Sequence, residues 1–222
     1  IIAGQQTTIF VGSGIIANKI ATTVHMSELS EEMGRKLVPV FWVNTHDGIQ
    51  SEITTIHLPV KQSSNSKPII LPTKHDGVAI HTISAQNFEW LENNLQVIKN
   101  NFLEFRSFVD NDQRRLFLEQ IDHILTFLRE TYRSSIKLSD WVTLIWGIQA
   151  NIFNDYGVVF IPSSHPEIRK LVYEAYLPIL KQRRRYIEEF NKATEKIIKL
   201  GLHPTTPKKA EDYVPFFLEC PN

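Results

Sequence analysis

The chain contains one cysteine, Cys220, and it lies beside the C-terminus. A single thiol cannot close an internal disulfide. Burial and hydrogen bonding must therefore hold the fold, and a reducing compartment, the cytoplasm, is the expected setting. An excess of either charge is also missing, since 24 Lys and Arg are matched by 24 Asp and Glu. No global field draws such a chain to nucleic acid or to an anionic membrane surface, and neither is expected as a partner. Long hydrophobic runs are absent as well. Stretches such as Trp141 to Ile148 fall far short of the roughly 20 residues that span a bilayer. The sequence opens, without an initiator Met, on Ile1-Ile2-Ala3, which reads as a buried strand, and no secretory leader is expected. Chains rarely start inside their own sheet, so this one is expected to be cut from something longer.

What is present follows an alternating order. With 222 residues, 42% hydrophobic and 22% charged, the chain is expected to form a single domain over 1–222. After the opening strand, Ile16, Ile20, Val24 and Leu29 recur at near-helical spacing and predict a helix from about Ile15 to Met33, closed by Gly34. Val38 to Val43 is a short apolar run that reads as a buried strand. Strand, helix and strand in this order predict a βαβ crossover and a parallel sheet. Short strands are expected at Ile53–Val60, Pro68–Leu71 and Val78–Ile83, with Gln62 to Lys67 as an exposed loop. Two heptad-patterned helices follow. Phe88, Leu91, Leu95, Ile98, Phe102 and Phe105 mark the first; Leu118, Ile121, Leu125, Leu128 and Tyr132 mark the second. With Asp110-Asn111-Asp112 between them, they should pack as an antiparallel hairpin over about 87–133. A further helix is expected from an N-cap at Ser139 or Asp140 to before Gly157, and Val158 to Ile161 reads as another buried strand. Ser163-Ser164-His165-Pro166 then opens a long helix, kinked by Pro178 and stopped by Gly201 and Pro204; Val214 to Leu218 reads as a last strand.

In an open parallel sheet, ligands bind beyond the carboxyl ends of the strands. Three such ends can be read here: Gly4-Gln5-Gln6, Asn44-Thr45-His46-Asp47-Gly48, and Ser163-Ser164-His165. Gly4, Gly12 and Gly14 around Ser13 admit a phosphate-binding loop or a tight turn that lets the helix pack, and their spacing matches neither common nucleotide fingerprint. His46-Asp47 can be a general base with its orienter, or a turn at Asp47-Gly48. No second pair at metal-ligand spacing is visible, so no metal is expected. Ser163 and Ser164 can hold an anion at a helix N-terminus or simply cap that helix. The basic run Lys181 to Arg185 reads as a solvated face paired with Glu188 and Glu189. Cys220 has no identifiable base beside it and is not read as a nucleophile.

The run Ile2-Ala3-Gly4-Gln5-Gln6, a glycine-bearing loop leading to Lys19, and then Pro39-Val40-Phe41-Trp42-Val43 resembles the bacillithiol cysteine ligase family. That family opens its core with a Gly-Gln-Gln strand end and a Thr-Gly-Pro-Leu-Tyr-Thr loop, then runs a Pro-Val-Phe-Trp strand into a Glu-Asp-His-Asp cluster. The likeness continues in the same order through Asp140, Gly157 to Ile161, Pro166 and the helix ending Gly201 to Pro204. It implies an α/β fold with a Rossmann-like parallel sheet flanked by helices, a helical hairpin insertion and a long kinked C-terminal helix. It also implies attachment of cysteine to glucosaminyl-malate, the last step of bacillithiol synthesis, with a nucleotide left open as cofactor. On this resemblance His46 and Asp47 are the catalytic candidates. Gly4, Gln5, Gln6, Gly12, Ser13, Ser163 and Ser164 are the substrate-binding candidates, and Lys19 also matches the family.

The departures are specific. The loop Val11-Gly12-Ser13-Gly14-Ile15-Ile16 keeps Gly12 but lacks the family's Pro, Tyr and final Thr. Without a gap, only Asp47 and Glu52 match the acidic cluster; a shift by two matches His46-Asp47 instead. Family members are also much longer. Two readings therefore stand: a divergent ligase, or a non-catalytic binding or assembly homologue that keeps the fold. A homo-oligomer and a partner chain completing the sheet both stay open.

Overall fold

The computed structural model describes residues 1–12, 14–48, 51–61, 63–72, 78–104 and 110–215. The chain divides into two compact units, Ile1–His165 and Pro166–Asn222.

The first unit is built on three parallel strands: β1 (Ile2–Gln6), β2 (Val40–Asn44) and β5 (Val159–Pro162), in the order β1-β2-β5. Helix α1 (Gly14–Glu32) makes the crossover between the first two. It ends as expected: Gly34 has φ 73°, its N–H bonds the Glu31 carbonyl at 2.9 Å, and Arg35 N–H bonds the Ser30 carbonyl at 2.8 Å. This paired closure requires a left-handed residue, which glycine supplies without strain. In β2 the side chains alternate, with Phe41 and Val43 buried and their neighbours half-buried. Phe41 meets the Trp146 ring edge-on at 5.5 Å and the Phe160 ring at 5.7 Å.

Two expectations about β1 change. Among the described residues it is an edge strand, not a buried one, and Ile2 is 71% exposed. It also runs on through Gln6, so Gly4, Gln5 and Gln6 pair with Trp42, Val43 and Asn44 inside the ladder.

Between β2 and β5 the chain builds the layers that cover the sheet. A short helix α2 (Ser51–Thr54) takes the start of the segment read as a strand, and β3 (Thr55–Pro59) pairs antiparallel with β4 (Ser66–Ile70) as a separate ribbon. Val78–Ile83 is not a strand. Ile80–Thr82 forms a 3₁₀ turn flanked by single bridges, Gly48 to Ala79 and Ser84 to Lys137. Its backbone is shared between two partners. Ile80 and His81 donate to the carbonyls of Asp47 and Thr45, whereas Ile83 and Ala85 bond Leu138 and Ile136. Neither ladder can extend.

The hairpin is present. α3 (Phe88–Leu103) and α4 (Asn111–Arg133) are antiparallel, as Lys99–Asp122 at 2.6 Å and Glu92–Arg129 at 2.6 Å require: moving up one helix moves down the other. Asn87 and Asp110 cap them by accepting from Trp90 N–H and Gln113 N–H. Phe105 lies outside the described residues.

α5 (Leu138–Gly147) is the most deeply buried element, with Leu138, Trp141, Val142, Ile145 and Trp146 fully enclosed. Neither Ser139 nor Asp140 is its N-cap. Lys137 is, and the Asp140 carboxylate accepts from Lys137 N–H at 3.1 Å from inside the first turn. The indoles are satisfied as burial demands: Trp141 donates to Thr131 Oγ1 at 3.1 Å, and Trp146 to the Val11 carbonyl at 3.1 Å. A π-helical turn, Ile148–Ile152, leads toward β5.

In the second unit, the long helix is broken into α6 (Pro166–Lys181) and α7 (Arg183–Lys199). The break falls at Gln182 (φ −109°, ψ 28°), one turn beyond Pro178, whose ring removes a helical N–H. Beyond the basic run, Glu189 pairs with Lys192 at 2.9 Å. The expected strand at Val214–Leu218 lies partly outside the described residues, as does Cys220.

Candidate active site

The pairing register places three strand ends level with one another. Gln6 pairs with Asn44, and Val43 pairs with Pro162, so the chain leaves β1, β2 and β5 along one edge of the sheet. The crossover topology predicts this arrangement.

At the end of β1, the parity of the ladder decides what faces outward. The Ile1 carbonyl accepts from Val40 N–H at 2.8 Å, so odd-numbered residues bond to β2 and even-numbered ones face the open edge. The Gly4 carbonyl is therefore directed away from β2, and Lys19 of α1 donates to it at 3.1 Å. The same ammonium donates to Gln5 Oε1 at 2.6 Å, and Gln5 Nε2 reaches Gln6 Oε1 at 3.3 Å. Lys19 is thus half-buried and its charge rests on neutral oxygens. The solvent-facing position that its helix would otherwise suggest is not the one it takes. Gly4 is glycine because of its neighbour: a Cβ there would lie 2.8 Å from the Trp42 carbonyl oxygen.

The loop from β1 to α1 is strained. Phe10, Val11 and Gly12 have φ of 52°, 78° and 75° in succession, which a β-branched residue such as Val11 rarely tolerates. Packing holds them there, because the Phe10 ring is buried against Trp90 at 5.4 Å and Trp141 at 5.3 Å. At Gly12 a Cβ would meet Ile16 Cδ1 at 2.6 Å and Thr8 Cβ at 3.1 Å. Of its two readings, the tight turn accounts for this glycine. Ser13 lies outside the described residues. Thr7, just beyond β1, is fully buried with its hydroxyl unpartnered.

The ends of β2 and β5 form one network. Ser163 N–H bonds the Val43 carbonyl at 2.9 Å, which extends the ladder and fixes the Ser163 side chain beneath the β2 loop. Ser163 Oγ accepts from Thr45 N–H at 2.9 Å and contacts His46 Nδ1. Thr45 Oγ1 donates to Ser164 Oγ at 2.7 Å and accepts from Ser164 N–H at 2.9 Å. His81 secures the loop from the other side, with its N–H and Nδ1 at 3.1 and 2.9 Å from the Thr45 carbonyl. Ser163 Oγ thus engages both Thr45 and His46, and Ser164 Oγ accepts from Thr45.

His46 and Asp47 stay open to solvent. His46 Nε2 lies 3.6 Å from Asp47 Oδ1, with side chains 48% and 24% exposed. That distance is too long for a hydrogen bond and close enough for electrostatic orientation. Both groups are free to engage a ligand. Sequence reasoning missed Thr45, His81 and Thr7. Only the pattern of Thr45 buried between Asn44 and His46 hints at a knot there. Among the described residues, no three His, Cys, Asp or Glu side chains converge as a metal site would need, and no helix is long and apolar enough to cross a membrane.

Comparison with known proteins places the chain in a family. The model of the bacillithiol biosynthesis BshC N-terminal Rossmann-like domain matches residues 1–220. A protein of Bacillus cereus (strain B4264) named "Putative cysteine ligase BshC" is 25% identical over 223 residues, covering 100% of this chain and 38% of the relative. A protein of the same name from Staphylococcus epidermidis (strain ATCC 12228 / FDA PCI 1200) is 23% identical over 195 residues, covering 86% of this chain and 33% of the relative. The chain thus spans well under half the length of these relatives. On the match across 1–220, this chain belongs to the BshC family of bacillithiol biosynthesis, in its N-terminal Rossmann-like domain.

Proposed function

We propose that this chain supplies the strand-end half of an active site that joins cysteine to glucosaminyl-malate, working within a longer protein. The observation that carries the reading is the placement of His46 and Asp47, both solvent-accessible, beyond the carboxyl end of β2, next to the end of β1 where Gln6 pairs with Asn44 and Lys19 bonds Gln5.

Forming an amide requires that the attacking amine lose a proton and that charge developing on the carboxyl oxygen be stabilised. His46 and Asp47 serve as the acid–base pair for that exchange. Gln5 and Gln6 offer amide donors and acceptors to polar substrate groups. Lys19, whose charge rests on neutral oxygens, attracts a carboxylate of either substrate. Ser163 and Ser164 brace the β2 loop through Thr45.

A free carboxylate must be activated before an amine attacks it, and a bound nucleoside triphosphate would supply that activation. Such a group would sit at the start of α1, which follows β1 after the strained loop: the space around the Gly14 α-carbon is open, and Lys19 lies further along the same helix. The test is mass-spectrometric detection of the cysteinyl product from cysteine and glucosaminyl-malate with the full-length protein. Product supports the ligase reading, and its absence with and without nucleoside triphosphate removes it.

A further inference from the structure

We infer that Ser163 is a positioning residue that holds His46 in the tautomer protonated on Nε2, so that the outward nitrogen donates and Asp47 is left as the base. The inference rests on the acid–base reading of His46 and Asp47 and divides the roles between them.

Counting protons in the network leads there. The Thr45 hydroxyl proton goes to Ser164 Oγ at 2.7 Å. One lone pair of Ser163 Oγ is taken by Thr45 N–H at 2.9 Å. The Ser163 proton then has two acceptors in reach, Thr45 Oγ1 at 3.3 Å and His46 Nδ1, and the His46 contact is the shorter. A hydroxyl rotates its proton toward the closer acceptor. A neutral imidazole that accepts at Nδ1 carries its proton on Nε2.

The far side of the ring agrees. Nε2 faces Asp47 Oδ1 at 3.6 Å. An N–H directed at a carboxylate is attracted to it, whereas a lone pair there is repelled. Ser163 is buried and bonded into the sheet through its own N–H, so it acts on the ring from behind and does not meet substrate. With Nδ1 occupied, His46 has no free lone pair toward solvent. Its Nε2–H serves as a donor to an anionic oxygen, and the substrate amine gives its proton to the Asp47 carboxylate.

The test is a two-bond ¹H–¹⁵N correlation spectrum of the full-length, ¹⁵N-histidine-labelled protein at a pH where the ring is neutral. His46 is assigned by its loss in His46→Gln. The expected result is a pyridine-type Nδ1 and a pyrrole-type Nε2. Ser163→Ala should move both signals toward the averaged positions of a free imidazole, and Ser163→Thr, which keeps the hydroxyl, should retain the native pattern. A pyrrole-type Nδ1 in the unmodified protein overturns the inference, as does an unchanged pattern in Ser163→Ala. Should Ser163→Ala fail to fold, the spectrum of the unmodified protein decides alone. No substrate is involved, so the result is independent of whether the ligase reading holds.

Discussion

Gly4 and Trp42 face each other across the β1–β2 ladder, with no room for a Cβ on Gly4. Two motifs far apart in sequence, Gly-Gln-Gln and Pro-Val-Phe-Trp, are thus one contact in the fold. Gly4→Ala would press a methyl against the Trp42 carbonyl oxygen at 2.8 Å, where the obstacle is backbone. The expected loss is about 1–3 kcal/mol, read as a lowered denaturation midpoint. An unchanged midpoint would mean that β1 and β2 can separate without cost.

Lys19 holds the Gly4 carbonyl and Gln5 together, and its charge has neutral partners. Lys19→Gln keeps a donor and removes the charge. If the ammonium binds a substrate carboxylate, KM for that substrate should rise about 10–100-fold, the equivalent of one charge-assisted bond of ~1.5–3 kcal/mol. Steady-state kinetics on the full-length protein measure this. A loss of thermal stability with KM unchanged would assign Lys19 to guarding the strand edge instead.

The buried hydroxyl of Thr7 has no protein partner. Replacing it with a methyl of the same shape should relieve an unsatisfied polar group. Thr7→Val is expected to stabilise the ligand-free protein by about 1 kcal/mol. Thermal denaturation with and without substrates separates the possibilities: stabilisation without ligand together with weaker binding would place this hydroxyl in the ligand site. Destabilisation of the free protein would contradict the account.

The hairpin carries a pH-dependent contact. The Arg129 guanidinium, bonded to both oxygens of Glu92, holds that carboxyl below the ordinary glutamate range. A depressed folded-state pKa stabilises above the unfolded value, and that contribution disappears as pH falls through the folded value. The pair is partly exposed, so solvent screening limits its coupling to about 0.5–1 kcal/mol at neutral pH. A double-mutant cycle of Glu92→Gln and Arg129→Ala should show this at pH 7, with the coupling vanishing in acid. Coupling that persists in acid would show that the contact is not electrostatic.

Much of the framework was legible in the sequence because its signals are local. The apolar run through Phe41 and Val43, the closing Gly34 and the heptads of α3 and α4 each report on their own neighbourhood. So did the three strand ends, since the crossover rule alone sets them on one edge. The side-chain network was not legible. Ser163 and Thr45 lie more than a hundred positions apart, and no periodicity shows that the serines after β5 brace the β2 loop. Val78–Ile83 has the composition of a strand, but its backbone divides between two partners and turns. The length of β1 was misjudged for a related reason: Gly4-Gln5-Gln6 reads as what lies at the end of a strand until Trp42 is set opposite Gly4.

The measurement that bears most directly on the proposed function is turnover of cysteine and glucosaminyl-malate by the full-length protein, compared with His46→Ala and Asp47→Ala. Both positions are solvent-accessible, so both variants should fold with little change in stability. The account predicts cysteinyl product from the unmodified protein and a loss of about 100-fold or more in kcat for each variant, the scale of general acid–base catalysis. Product formation that survives both substitutions unchanged would contradict it. So would the absence of product from the intact protein, and the chain would then be a binding homologue that has kept the fold and lost the chemistry.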